Sequence, residues 1–123
     1  MKTRLHEIEF GSQDPNESKL FYNNILELDT FVDHDELKVF NAGVLGVDFN
    51  ISKHLPAKAM VVSFLTDDLK KVMDNLNANS VRFDGPKPSH LGMTCISFND
   101  PDGYKVKINQ STEESPTWLK VCI

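Results

Sequence analysis

Apolar and polar residues alternate in several short stretches of this chain, and a period of two is the pattern of a half-buried β-strand. The first such stretch, RLHEIEFGS, places His6, Ile8 and Phe10 on one face and Glu7 and Glu9 on the other. The stretches VDFNIS, MVVSFLT, SVRF, MTCISFN and YKVKIN also predict strands, and the residues before VDFNIS predict one or two more.

Two other stretches carry apolar residues at helical spacing. In SKLFYNNILEL, which follows the helix-entry pair Asp14-Pro15, these residues are Leu20, Phe21, Ile25 and Leu28. In DDLKKVMDNLNAN they are Leu69, Val72, Met73 and Leu76. Asp67 or Asp68 is the expected N-cap of this second helix.

The order of the elements repeats, since each half of the chain predicts a strand, a helix and about three further strands. The first unit covers about 3–53 and the second about 57–109, followed by a tail at 110–123. One helix on a small sheet is marginal alone, so we expect one α+β domain over residues 1–123. The tail ends in Trp118, Leu119, Val121 and Ile123, which predicts that it docks on this protein or on a partner.

Composition narrows the functional classes. The chain has 123 residues, of which 40% are apolar and 25% charged, with a net charge of −5. This acidic balance argues against non-specific nucleic-acid binding, which requires clustered lysine and arginine. No apolar run is long enough for a membrane span, and the first residues lack the apolar core of a signal peptide, so we predict a cytoplasmic protein. Cys95 and Cys122 form no metal or redox motif, and Cys95 is expected to be a buried strand residue.

Two phrases carry a family resemblance. FYNNILEL resembles the first-helix pattern of the vicinal oxygen chelate superfamily, with Glu27 in the usual glycine position, and NDPDGYKVKI resembles its closing strand, with Lys107 replacing a glutamate. The superfamily includes glyoxalases, extradiol dioxygenases and bleomycin-resistance proteins. The resemblance implies two βαβββ units forming a cupped mixed sheet with helices outside, often in a homodimer.

The resemblance also assigns metal-ligand positions on the first and last strand of each unit. In this sequence they hold Glu7, Asn50, Val61 and Lys107. Valine offers no donor atom and a lysine ammonium repels a cation, so we predict that no metal is bound, and that Lys107 pairs with Glu7 instead. If a metal (zinc, nickel, manganese or iron) is bound, His6 and Glu7 are the fallback ligands.

The function predicted from these features is metal-independent binding of a small organic molecule in the cup or in a dimer cleft. The side chains predicted to contact this molecule are Glu7, Glu9, Asp48, Asn50, Ser63, Lys107 and Trp118. The acidic members favour a cationic or amine-bearing ligand. Two alternative functions stay open. One is a metal-dependent lyase or dioxygenase whose metal site is displaced from the usual positions, and the other is a metal-free enzyme that uses Glu7 as a general base. The expected partners are the ligand and a second copy of the chain, without nucleic acid or membrane.

Overall fold

The computed structural model of the protein describes residues 1–120. Within this range there are eight β-strands, three α-helices and one 3₁₀ turn, His90–Gly92. The elements in chain order are β1 (Thr3–Gly11), α1 (Pro15–Leu26), β2 (Thr30–His34), β3 (Leu37–Asn41), β4 (Asp48–Ser52), β5 (Met60–Thr66), α2 (Leu69–Ala78), β6 (Asp84–Pro88), β7 (Thr94–Asn99), β8 (Lys105–Gln110) and α3 (Thr117–Lys120).

This order confirms the predicted α+β class and the repeated βαβββ arrangement. Contacts divide the chain into unit one, His6–Val61, and unit two, which combines residues 1–5 with the chain from Val62 onward. None of the described helices combines the length and the apolar character that crossing a membrane requires.

Unit one is a mixed sheet in the order β2-β3-β4-β1, in which β1 runs parallel to β4 and the other pairs are antiparallel. The parallel register places Ile8 beside Phe49 and Phe10 beside Ile51. Tyr22 of α1 contacts the ring of Phe49, with 5.2 Å between centroids. Helix α1 therefore covers this apolar face, as the alternation of β1 predicts.

The predicted apolar stripe of α1 does not face the sheet. Leu20, Phe21 and Ile25 are 61%, 59% and 65% exposed, whereas Pro15 is buried and Tyr22 is half-buried. The helix is oriented by the ring contacts of Tyr22 and by polar contacts at its first turn, and these outweigh its apolar spacing. The exposed apolar side chains are a surface available to a second copy, and the homodimer stays a prediction.

A buried lysine lies beneath the first turn of α1. Lys38 of β3 is 1% exposed, and its ammonium donates to Asp33 Oδ1 and, over 2.6 Å, to Asn16 Oδ1. Lys19 also donates to Asp33. These hydrogen bonds, first from Lys19 and then from Lys38, lower the pKa of Asp33 to about 2.

Unit two has the strand order β5-β8-β7-β6, and the first residues of β1 lie beside β5. The hydroxyl of Thr3 donates to that of Thr66 over 3.3 Å. Helix α2 begins at the predicted N-cap, because the Asp68 carboxylate accepts from the Lys71 amide. The core under α2 contains the predicted residues of its stripe, which are Leu69 and Leu76 with Val72 and Met73 at its edge.

The sixth strand lies later in the chain than predicted. SVRF is not a strand, and β6 is Asp84–Pro88, which pairs antiparallel with β7. Pro86 and Pro88 argue against a central strand because they lack an N–H group, but β6 is the last strand of this unit, where one side needs no donor.

Of the tail residues predicted to dock, Leu119 packs on unit two, whereas Trp118 is 57% exposed. Leu119 of α3 is fully buried with Leu65 and Met93. Leu65 alternates on β5 with Phe64, which packs in the core under α2, so α3 covers the face away from α2. Thr112 secures this segment by donating to the Gly92 carbonyl over 2.6 Å. The predictions for Val121, Cys122 and Ile123 lie outside the described residues.

Candidate functional site

Four predicted site residues meet on the face of unit one opposite α1. The pairing of β1 with β4 places Glu7 beside Asp48 and Glu9 beside Asn50. These residues alternate with Ile8 and the other side chains packed under α1, so they lie on the other face of the sheet. We call Glu7, Glu9, Asp48 and Asn50 the acidic face.

The acidic face offers hydrogen-bond acceptors to a ligand. Asn50 is 7% exposed, and its Oδ1 atom has no hydrogen-bond partner within residues 1–120. Glu9 and Asp48 are half-buried, and neither forms an ion pair with a described residue. A buried acceptor normally has a partner, and adjacent like charges repel. This arrangement therefore suits a ligand that brings donors and positive charge.

The two fallback metal ligands are neighbours on β1. His6 is 5% exposed, and a ring nitrogen of His6 lies within 4.8 Å of a carboxylate oxygen of Glu7. At the positions that the resemblance assigns to metal ligands, unit one holds Glu7, Asn50 and Val61. Val61 is a buried hydrocarbon side chain, so this set does not fit a divalent ion.

Lys107 and Ser63 lie in unit two. Lys107 of β8 is half-buried and pairs in register with Ser97 of β7, while Ser63 of β5 is 3% exposed. The pairing of Lys107 with Glu7 stays a prediction. Trp118 on α3 is 57% exposed.

Asn109 is a fully buried polar side chain of unit two that was not among the residues predicted from the sequence. It is fully buried on β8 opposite Cys95, and neither atom of its amide group has a hydrogen-bond partner within residues 1–120. The alternation of Lys105, Lys107 and Asn109 in KVKIN was the signal that could have identified it, since all three share a face.

Replacing Asn109 by leucine should stabilise the protein. An unpartnered buried polar group costs about 1–3 kcal/mol, so its removal should raise the Tm by roughly 3–10 °C. The same change at Asn99, which is exposed on β7, should alter the Tm by less than about 2 °C. Differential scanning calorimetry measures both, and a lower Tm for Asn109→Leu would show that the amide is hydrogen-bonded in solution.

Solved structures with the same fold come from proteins of several activities. A glyoxalase/bleomycin resistance protein/dioxygenase superfamily member from Vibrio splendidus 12B01 is 18% identical. The match covers 89% of this chain and 100% of that chain, with a TM-score of 0.66. An extradiol ring-cleaving dioxygenase from B. fuscum is 17% identical; the match covers 96% of this chain and 35% of that chain, with a TM-score of 0.70. Methylmalonyl-CoA epimerase from Mycobacterium tuberculosis is 10% identical; the match covers 89% of each chain, with a TM-score of 0.63. At these identities the likeness shows the fold alone.

Sequence comparison gives the family directly. A search of curated proteins found no match. The family model described as Glyoxalase/Bleomycin resistance protein/Dioxygenase superfamily matches residues 4–108, which cover both βαβββ units except for the first residue of β1 and the last two of β8. The chain therefore belongs to the glyoxalase/bleomycin resistance protein/dioxygenase superfamily.

Proposed function

We propose that this protein binds a small organic molecule carrying an amine or another cationic donor, and that the acidic face of unit one holds it. The observation that carries the proposal is the Asn50 Oδ1 atom, which is buried beside the half-buried Glu9 carboxylate and has no donor among residues 1–120. A buried acceptor of this kind costs free energy unless a ligand or water satisfies it.

The charges of the acidic face favour an ammonium over a neutral ligand. Glu9 and Asp48 form no ion pair with a described residue, so a bound cation would relieve their mutual repulsion with Glu7. Hydrogen bonds from an ammonium to carboxylates are charge-assisted and stronger than neutral ones. The binding needs no metal, because each contact is a direct hydrogen bond to a protein oxygen.

Benzylamine tests the proposal, because benzyl alcohol and benzoate present the same ring with no charge and with a negative charge. Benzylamine should shift the amide resonances of residues 7–9 and 48–50 in a ¹H–¹⁵N NMR titration at low salt, and benzoate should not. Glu9→Gln and Asp48→Asn should each weaken binding by about threefold or more, since each removes a charged acceptor.

Glu36→Gln is the matched control, because it removes the same charge from an exposed turn of unit one. It should leave the affinity for benzylamine unchanged. Equal losses in Glu9→Gln and Glu36→Gln would show that net charge alone attracts the amine. Shifts of equal size with benzoate would refute the acidic face as a cation site.

A metal-dependent lyase or dioxygenase is the second candidate function. The proximity of the His6 and Glu7 donor atoms, within 4.8 Å, favours it. Calorimetric titration with nickel, zinc, manganese and iron(II) separates the two functions. One tightly bound ion per chain, lost in His6→Ala, would favour the metal enzyme, and binding of benzylamine to metal-free protein would favour the proposed binder.

A further inference from the structure

Unit two contains a cavity of about 890 Å³ at the opposite end of its strands from Asn109. It lies between the C-terminal end of α2, the connection to β6 and the adjoining ends of β6, β7 and β8. Its volume is in the range of pockets that hold small molecules. Asn109 and Lys105, which lines the cavity, are four residues apart on β8, or about 13 Å.

An irregularity in β6 shapes this cavity. Asp84 pairs with Ser97, but Lys87 pairs with Cys95, so β6 contains one extra residue between these pairs. Gly85 allows the irregularity, because its φ is +101° and a Cβ atom there would lie 2.7 Å from the Cys95 carbonyl oxygen. Bulges of this kind redirect a strand and often adjoin functional sites.

Two cations face the cavity without a counter-charge bound to either. Arg82 and Lys105 are exposed, and neither forms an ion pair within residues 1–120. Lys105 pairs in register with Asn99, and extending the register of β6 and β7 by two residues places Arg82 on the other side of Asn99. Adjacent strands are about 4.8 Å apart, so the cations flank the Asn99 amide across about 10 Å.

The cavity is locally cationic although the chain is acidic. Within the described part of the chain, Asp84 is the one acid that lines it, which leaves two positive charges against one negative charge in a chain of net charge −5. The Asn77, Ser97 and Asn99 side chains add uncharged hydrogen-bonding groups. An anion is therefore the charged ligand that these groups can bind best.

One wall of the cavity is apolar. Phe83 and Phe98 line it, and both are half-buried at the edge of the core formed by Ile96 and Ile108 under α2. By strand alternation these rings lie on the α2 side of the sheet, whereas Arg82, Asn99 and Lys105 lie on its other side, so the cavity lining includes both faces at this end of the strands.

We propose that this cavity is a second binding site that takes a small anion, with its carboxylate or phosphate between Arg82 and Lys105. Arginine binds either group through two parallel hydrogen bonds. The site is independent of the acidic face, since it lies in the other unit and selects the opposite charge.

The test is a ¹H–¹⁵N NMR titration of the whole protein with 1-naphthyl phosphate, 1-naphthoate, 1-naphthol and inorganic phosphate. We expect the two naphthyl anions to shift the amide resonances of residues 77–85 and 97–99. The neutral naphthol lacks the charge, so it should bind at least tenfold more weakly than the better anion, whereas inorganic phosphate should shift the same resonances. Comparing the two anions identifies the preferred acidic group.

Arg82→Gln and Lys105→Gln should each raise the Kd of the better anion by at least threefold, and both residues are exposed, so the variants should fold. Lys71→Gln is the matched control, because Lys71 is an exposed lysine of α2 that does not line the cavity. Naphthol binding as tightly as the anions, shifts confined to other residues, or equal losses in all three variants would overturn the proposal.

Discussion

Gly11→Ala should lower the Tm by about 10 °C or more, because a Cβ atom at this position would overlap the backbone of the loop before β5. The added atom would meet the Pro56 carbonyl group, 2.6 Å from its carbon atom, and would lie 2.7 Å from the Leu55 carbonyl oxygen. Backbone cannot rotate away as a side chain can, and overpacking of this kind costs about 1–3 kcal/mol or more.

The same overlap would also weaken the hydrogen bonds that hold this loop against β1. The Gly11 amide donates to the Ala59 carbonyl over 2.9 Å, and the Ala59 amide donates to the Pro56 carbonyl over 3.0 Å. Moving Pro56 to admit a methyl group would strain both bonds. Thermal unfolding followed by circular dichroism measures the loss.

Gly103→Ala separates steric overlap from backbone strain. Gly103 has a φ of +88°, but a Cβ atom there would meet nothing within 4 Å. Its replacement should cost only the strain of a left-handed alanine, about 1–2 kcal/mol. If Gly11→Ala costs no more than Gly103→Ala, the loop does not pack against β1 in solution as described.

Asp33→Asn should destabilise the protein far more than Lys38→Met, although both variants break the same ion pair. Asp33 is the partly exposed member, with a side chain 43% exposed, while the Lys38 side chain is 2% exposed. Asparagine would leave a buried ammonium with only amide oxygens, so we expect the Tm to fall by about 10 °C or more. Methionine removes the buried charge and leaves Asp33 with Lys19, so the Tm should change by only a few degrees.

The pH dependence provides a second readout of the same pair. The pKa of Asp33 is about 2 in the folded protein, below its ordinary value of 3.8, so ionised Asp33 stabilises the fold above about pH 4. That contribution should be lost as the pH falls from about 4 towards 2. The difference in Tm between wild type and Asp33→Asn should shrink over this range, and a difference that is constant with pH would contradict the ion pair.

The local patterns of the sequence predicted much of this fold correctly. The alternation of Glu7, Ile8 and Glu9 identified β1 and its faces, because a strand facing a core on one side must alternate. Asp67 and Asp68 were the two candidates for the start of α2, and Asp68 is the N-cap; the start was predictable because a carboxylate that accepts from the first amides of a helix is a local interaction. The sequence does not show which residues of β1 and β4 pair. The alternation nevertheless placed Glu7 and Glu9 on one face of β1 and Asp48 and Asn50 on one face of β4, and these two faces are adjacent in the structure.

Other features depended on contacts between residues far apart in the chain. The apolar spacing of Leu20, Phe21 and Ile25 predicted the wrong face of α1, since ring contacts on the sheet and the buried Lys38 set its rotation. The Pro-containing β6 is a strand only because β7 supplies its hydrogen bonds along one edge.

The sequence by itself determined the α+β class, the repeated βαβββ order, the family and the acidic character of one strand face, because each follows from short-range periodicity or from a local phrase. Only the tertiary structure decided which polar groups lack partners. Burial and hydrogen bonding are properties of the packed chain, so Asn50 and Asn109 could be distinguished from the exposed asparagines only after the strands were paired. The cationic cavity beside Arg82 depends in the same way on a bulge between β6 and β7.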